Sequence, residues 1–428
     1  MRDDSSQSDR VPNVSDSPVV WPSTMPSTIA WPLAEIAITH LLKDYLPGSH
    51  FDYVPSLYTM HATDPLLCTV LEVVGLASFS LQIGRQELQV ESRKRYVGAI
   101  NQINRCLDGQ ETYMDDCTLT SVMLLSLFET IHSHMDSKAE AWSTHVQGAL
   151  SLVLLRDTAQ FESRIGREIF QQVAHSVTVF CVQRRLRIPD RLRKLTLHLA
   201  RMGETKRPKF GSIIEAFADL RAGIAEATMP DQAEIVTRAE KVLEDLEEFT
   251  LQLPLSDKGS TARFPESRIR SEPFMNHCIL YKDKSVTQLW NTIWMTRMAL
   301  RGIIYEATTR QSDLALASSS PSNHLTTLKQ RSQDGAIAAA LAICASVPPY
   351  FPLSPLDVDY PIPQKPCGFA EGYFLIWPLF AAGSNPFLSD ANRAYVIGRL
   401  ESIYEVLKLP QAQRAASLLA EGNMSEDW

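Results

Sequence analysis

Cysteine and histidine are the residue types that most often bind metals, and their spacing in this chain favours packing instead. No two of the seven cysteines form a C-x-x-C pair, and the closest two are eleven residues apart. A zinc cluster needs several thiolates close enough to share an ion. Scattered thiols within apolar helical patterns are typical of free, buried cysteines in a reducing compartment. They are Cys68, Cys106, Cys117, Cys181, Cys278, Cys344 and Cys367.

Three histidines lie near one another in sequence, at His132, His134 and His145. No cysteine or further ligand stands near them at a spacing typical of a zinc site. Because metal sites are rare relative to ordinary histidines, we interpret these three as polar residues near a helix end.

Acidic residues offer two other candidate metal sites. Asp115 and Asp116 begin like the D-D-x-x-D motif with which helical terpene cyclases hold magnesium, but Leu119 stands where the third carboxylate belongs. A hard cation at that position would lack oxygen ligands. The run Glu244–Glu248 has enough carboxylates to bind a cation, but its position fits the solvated face of a helix. Neither stretch predicts a bound metal.

The sequence also lacks the motifs of nucleotide binding and nucleophilic catalysis. It contains no P-loop motif G-x-x-x-x-G-K-[ST], no G-x-G-x-x-G after a strand, and no nucleophile elbow G-x-S-x-G. Such motifs need glycine because backbone amides must approach phosphates closely, and because a nucleophilic serine must lie on a sharp turn. The sequence therefore predicts no catalytic residues, no cofactor-binding residues, no metal ligands and no cofactor, and it does not predict an enzyme.

Charge changes sign sharply in the middle of the chain. Ten lysines and arginines but only two acids lie in 184–209, a balance of +8, whereas ten acids and three basic residues lie in 211–252, a balance of −7. The acidic stretch keeps helical apolar spacing, so the simplest interpretation is two amphipathic regions with opposite solvent faces that face one another. The alternative is that the basic run from Arg184 to Lys194 binds phosphate or a nuclear import receptor.

Apolar residues recur at helical spacing almost throughout, whereas alternating strand patterns are nearly absent. We therefore predict an all-α fold. The segment 66–81 is apolar nearly all round, which indicates a buried helix. Asp115 or Asp116 and Ser137 are suitable N-caps for the helices that follow them. The predicted helices cover about 66–81, 86–107, 115–133, 138–156, 163–185, 274–310, 334–347, 369–383, 389–408 and 410–420, with a Ser-rich insertion over 311–333 and a proline-rich loop over 348–366.

Length and composition indicate a large helical core. The chain has 428 residues, 45% of them hydrophobic, which predicts one large helical domain or two packed helical halves, with a subdivision near 253–273. Residues 1–30 are rich in Ser, Pro and Asp, so we expect a disordered tail ahead of the domain at 31–428. The apolar stretches 336–347 and 373–383 are too short to span a membrane, and the N-terminus is unlike a secretory signal. We expect a cytoplasmic or nuclear location.

Several motifs, taken in their order along the chain, resemble one known family. The central ones are Leu127-Phe128-Glu129, Trp142, His145, Gly148, Ala149, Leu152, Gln160-Phe161, Ser163, Gly166-Arg167 and Phe170. The outlying ones are Asp52–Tyr58, Asp64–Leu67, Trp290 with Trp294 and Arg297, Ile343–Pro348, Gly372-Tyr373 and Trp377–Gly383. The ordered set covers about 40–420 and resembles the fungal-specific transcription factor domain. That domain is the regulatory region that follows binuclear zinc cluster DNA-binding motifs.

The resemblance implies a helical fold and a nuclear transcriptional regulator, with a role in secondary metabolism because many family members control metabolic gene clusters. The family's zinc cluster has no counterpart here, since no cysteine precedes Cys68. We therefore expect action through proteins of the transcription machinery, a DNA-binding partner or a homodimer, with a small-molecule effector and no membrane. Any DNA binding by Arg184–Lys194 should be weak and independent of sequence. The alternatives are an α-helical scaffold or dimerisation protein and a helical pathway enzyme.

The aromatic residues of these motifs also have a purely physical interpretation. Trp142 shares one helix face with Ala149 and Leu152, so we expect it in the core, where its replacement by alanine would cost about 3–5 kcal/mol. The alternative for the late aromatic residues is a pocket for an effector near Trp377 and Phe380.

The scattered cysteines generate a first prediction, that the purified protein carries no stoichiometric zinc. Structural zinc requires clustered thiolate or imidazole ligands, and the sequence does not supply them at a suitable spacing. Elemental analysis of the purified chain should find well under one zinc per molecule. One or two zinc ions per chain, retained after dialysis, would contradict the prediction.

Overall fold

The structure is a computed structural model that describes residues 32–108, 114–132, 140–204, 207–229, 231–263, 277–316, 323–350 and 368–422. Over these residues the chain forms fifteen α-helices and one small two-stranded sheet, and it is 81% helical. The predicted all-α class is confirmed. The predicted disordered tail, the proposed N-cap Ser137 and nearly all of the proline-rich loop lie outside the described residues.

Eight helices build a first apolar core from the N-terminal part of the chain. A π-helical turn, Leu41–Tyr45, follows the first of them, and a 3-10 turn, Asp157–Phe161, separates the sixth from the seventh. The helices are α1 (Leu33–His40), α2 (Val54–Met60), α3 (Pro65–Ile83), α4 (Gln86–Leu107), α5 (Asp116–His132), α6 (Glu140–Arg156), α7 (Arg164–Arg184) and α8 (Asp190–Arg201).

The rest of the chain builds two further apolar cores. The second core contains α9 (Pro208–Ala225), α10 (Gln232–Gln252) and α11 (Lys284–Leu316), with the antiparallel strands β1 (Ser260–Arg263) and β2 (His277–Leu280) between the last two. The third core contains α12 (Asn323–Ala345), α13 (Phe369–Gly383), α14 (Asp390–Leu407) and α15 (Pro410–Ala420).

Local signals explain the bounds of α3, the most apolar helix of the first core. Asp64 caps its N-terminus by accepting a hydrogen bond from the Leu67 amide at 2.7 Å, and Pro65 occupies the first turn, where no amide is needed. Gly84 ends it at φ 66°, a left-handed conformation that glycine adopts without strain. By length and composition α3 is the one described helix that could cross a membrane, but most of it is buried between other helices.

Close helix packing requires glycine at Gly75 of α3 and Gly166 of α7. A side chain at Gly75 would collide with the Ala37 carbonyl of α1, and one at Gly166 would collide with the Gln160 carbonyl. Gly166 belongs to the set of residues that carries the family resemblance. The physical need for glycine there is the close approach of the 3-10 turn before α7.

Two sequence predictions in the C-terminal half need correction. The stretch 253–273, where the sequence predicts a subdivision, includes β1, and the helix predicted from about 274 begins at Lys284, after β2. The Ser-rich stretch 311–333 is mostly helical, since α11 runs to Leu316 and α12 begins at Asn323. Leu328 and Ser332 are buried, so this polar sequence still carries a helical buried face. The strands β1 and β2 were missed because each has only four residues, too few for the alternation of a strand to be recognised.

The second core continues across the stretch 253–273. Leu246 of α10 and Ile293 of α11 belong to the same apolar cluster. In addition, the Trp290 indole donates a hydrogen bond to the Asp257 carbonyl at 2.6 Å. Helices on the two sides of this stretch therefore share one core.

Trp142 generates a stability prediction that differs from the one made on sequence alone. It is only half-buried, near the start of α6, with its ring 6.2 Å from that of Phe180. Phe170 on α7 is 1% exposed and packs edge-on against Phe161. We expect Trp142→Ala to cost about 1.5–3 kcal/mol and Phe170→Ala about 3–5 kcal/mol, because the loss scales with the apolar surface removed from the core.

Urea denaturation of the two variants and the wild type checks this order. Midpoints should fall in the sequence wild type, Trp142→Ala, Phe170→Ala at an unchanged m-value. Equal losses for both variants would place Trp142 in the core, as the sequence suggested, and no loss for Trp142→Ala would remove its structural role.

Candidate functional site

The basic and acidic stretches face each other across α8 and α9, as their opposite charge predicts. The Arg193 guanidinium donates to both carboxylate oxygens of Asp219, at 2.8 and 2.5 Å. Arg187 donates through Nε and Nη2 to Glu226, at 3.1 and 2.8 Å. These hydrogen bonds to Asp219 raise the pKa of Arg193, so the guanidinium stays charged at every physiological pH. We call these two ion pairs the charge clamp.

Other cations of the basic run have different surroundings. Arg191 donates to the Leu154 carbonyl at 2.9 Å, which ties the start of α8 to the end of α6. Arg184 and Lys194 lie exposed on the outer surface. Partly exposed ion pairs contribute little stability each, so the clamp sets orientation more than it stabilises the fold.

The histidines singled out by sequence belong to a polar network between α4, α5 and α6. The Tyr96 hydroxyl donates to Glu129, and the Nε2 atom of His145 lies 3.2 Å from the same hydroxyl. His132 lies 3.3 Å from the Ser92 hydroxyl, and its ring stacks on an aromatic neighbour. Burial lowers the pKa of His145, so it is neutral at pH 7. This network joins α4, α5 and α6, with His132 at the end of α5 and His145 within α6. His134 lies outside the described residues.

One group of potential metal ligands exists among the described residues. Ligand atoms of Asp64, Asp115 and Cys117 lie within 4.8 Å of one another. Both carboxylates already cap helices, Asp64 at α3 and Asp115 at α5, where it accepts from the Thr118 amide at 3.1 Å. Burial and the nearby carboxylates raise the pKa of the Cys117 thiol, so it is protonated. The sequence marked Asp115 as a candidate metal ligand, but not Asp64, which is distant along the chain.

The other residues that the sequence marked as candidate site residues pack or pair within the fold. Asp116 accepts a hydrogen bond from Arg156, which is 5% exposed, and this ion pair joins α5 to α6. Among the described cysteines none forms a disulfide, and four of them are buried. Phe380 is buried in the third core, whereas Trp377 is half-buried and hydrogen-bonded to the Tyr373 hydroxyl.

Sequence reasoning missed a crevice where elements of the first and third cores meet. The imidazoles of His50, before α2, and His175, on α7, face each other with ring centroids 4.5 Å apart, and the Phe374 ring of α13 packs against His50 at 5.1 Å. Solvent reaches both histidines. Enough protein surrounds the crevice to lower the pKa of both rings through lost hydration. Repulsion by His175, when it is protonated, lowers the pKa of His50 further, to about 3. Both are therefore neutral at pH 7.

Polar side chains of α11, of the turn after α12 and of α13 meet in a neighbouring pocket. Lys284 pairs with Glu371 at 3.8 Å, and the Thr287 and Tyr350 hydroxyls are 2.7 Å apart. The pocket between them has room for about one water molecule. Such a junction can exchange protons and bind water, but it is too small for an organic ligand.

Comparisons with known proteins add no relative. The chain matches no protein-family model, no curated protein and no solved structure.

The crevice histidines generate a prediction about stability at acid pH. Their pKa values in the folded state lie below the value of about 6.5 in an unfolded chain, so the unfolded chain takes up protons first as the pH falls. The two histidines do not change the free energy of unfolding above about pH 7, and they lower it as the pH falls below 6.5. We expect the variant His50→Gln with His175→Gln to show a smaller decline between pH 6.5 and 4.5.

Urea unfolding at a series of pH values measures this decline, with His324→Gln, an exposed histidine on α12, as the matched control. The control should follow the wild type. If the double variant also follows the wild type, the two imidazoles are not held neutral by the crevice.

Proposed function

We propose that this protein is a nuclear transcriptional regulator that acts through its helical domain, in the manner of the fungal-specific transcription factor domain. The observation that carries the proposal is the ordered set of motif residues, which extends over all three apolar cores. Gly166 occupies a close approach in the first core, Trp290 is anchored to Asp257 in the second, and Gly383 packs against Leu419 in the third. The same residues that create the resemblance therefore have framework positions in this fold.

The proposed regulator works through protein contacts, because the chain has no cysteine cluster that could form the family's zinc reader. The acidic faces of α9 and α10 are the surface that we assign to coactivators. The charge clamp holds two acids of this surface, Asp219 and Glu226, against basic side chains. Release of the clamp would expose them to a basic partner. By resemblance, the regulated genes belong to secondary metabolism.

A scaffold or dimerisation role is the second candidate, and one observation favours it. Leu155 at the end of α6, Leu186 between α7 and α8, and Leu197 on α8 are 63%, 46% and 52% exposed. Burial of these leucines against a partner would remove apolar surface from water. A scaffold would have no effect on transcription, and this difference distinguishes it from the proposed regulator.

A reporter assay separates them. We would fuse the whole chain to an unrelated DNA-binding module and measure a reporter in a fungal host, expecting the output to differ from that of the module alone. Arg187→Glu with Arg193→Glu should raise it about two- to fivefold, because exposed ion pairs contribute roughly 0.5–1 kcal/mol and the reversed charges now repel.

Two matched variants test the clamp itself. Arg184→Glu changes an exposed charge outside the clamp and should leave the output unchanged. Adding Asp219→Arg and Glu226→Arg to the double variant restores opposite charges across α8 and α9, but it also removes two acids from the proposed coactivator surface. Output should therefore fall below that of the double variant. If all fusions are nuclear and well expressed yet none changes the reporter, the scaffold candidate replaces the regulator.

A further inference from the structure

A second pocket lies on the seam between the first and third cores. It has a volume of about 430 Å³, within the range of small-molecule sites. Its walls come from the π-helical turn after α1, the end of α3, the start of α13 and the end of α14. Pockets at the junction of packed units are common ligand sites because several elements can contribute groups to one ligand.

The charge of the lining favours a single negative charge. Lys43 from the π-helical turn and Lys408 from the end of α14 contribute two cations, and Asp44 contributes one anion, which leaves a net charge of +1. The first turn of α13 also borders the pocket, but it carries its own carboxylate, Glu371, which lies close to Gly368 and pairs with Lys284. The attraction for an anion therefore comes from the two lysines of the lining.

The apolar part of the lining favours a ligand with an apolar body. Val406 is 64% exposed, although it lines the pocket beside buried Leu407. The half-buried Phe369 ring lies between these residues and the interior. A ligand that covered Val406 and Phe369 would bury apolar surface that the chain leaves in contact with water.

The backbone and the residue behind the pocket are also unusual. Lys408 has a φ of 55°, a left-handed conformation that a non-glycine residue adopts at some cost, and π-helical turns such as Leu41–Tyr45 are frequent at functional sites. Behind Phe369, His40 is 4% exposed and packs edge-on against that ring. Its Nδ1 atom contacts Asp44 at 3.3 Å, but its buried Nε2 atom has no hydrogen-bond partner.

We propose that this pocket binds a small organic monoanion with an apolar body, such as an aryl or alkyl carboxylate. Lys43 and Lys408 hold the carboxylate, and Phe369, Val406 and Leu407 contact the body. Phe369 packs against both the first and the third core, so a bound ligand strengthens the contact between them. The proposal concerns binding alone and does not depend on a transcriptional role.

Titration of the full chain with 4-phenylbutyrate tests the site, with the neutral 4-phenylbutyramide as the matched probe. Calorimetry and ligand-observed NMR should give a submillimolar Kd for the carboxylate and at least tenfold weaker binding of the amide, because a charge-assisted contact contributes about that factor. A Kd of 10 mM corresponds to a binding free energy of roughly 3 kcal/mol, about the weakest affinity of a specific site. The proposal would be overturned if the carboxylate showed no detectable binding at 10 mM, or if it bound no more tightly than the amide.

Three variants assign the binding to this pocket. Lys43→Gln with Lys408→Gly removes both cations, and glycine adopts the left-handed conformation at 408 freely, so the fold should be retained while the Kd rises at least tenfold. Val406→Asp should have a similar effect by repelling the carboxylate. Lys94→Gln, an exposed lysine of α4, should bind as the wild type does. Unchanged affinity in the first two variants, with thermal unfolding showing that they are folded, would place the binding elsewhere.

Discussion

Helix α11 is the element on which the C-terminal half of the structure depends, because it packs against two apolar cores at once. Ile293, Leu300 and Ile304 lie in the second core, whereas Met295 and Met298 pack against the third. Trp294 contacts both cores, and Arg297 lies over its ring at 4.8 Å. A helix of 33 residues with two apolar faces cannot be stable in water alone. The second and third cores therefore need one another to cover it.

The sequence predicted the helices best where long apolar patterns have clear ends. Helix α4 and helix α13 have the bounds expected from periodicity, and α3 was recognised as a buried helix because apolar residues surround it. The two short strands and the start of α12 were missed for opposite reasons. The strands are too short to show a period, and α12 begins in residues whose polar composition hides a narrow buried face.

Candidate sites were predictable only where their residues are close in sequence. The facing of the basic and acidic stretches follows from charge alone, since blocks of opposite sign on neighbouring helices attract. Which cation meets which acid depends on helix rotation, so the partners of Arg187 and Arg193 required coordinates. The crevice of His50 and His175 and the seam of Lys43 and Lys408 bring together residues from distant helices. No local pattern marks such pairs, because only tertiary packing defines them.

The apolar character of α3 has a consequence for how the chain is made. Its 19 residues leave the ribosome before α5, which covers one side of them, has been synthesised. At roughly 5–20 residues per second, the segment between the two helices takes several seconds to appear. During that interval the side of α3 that α5 covers in the folded protein stays exposed in the nascent chain, and it is an apolar surface of the kind that chaperones bind. Productive collapse of the N-terminal third is thereby coupled to translation of residues beyond His132.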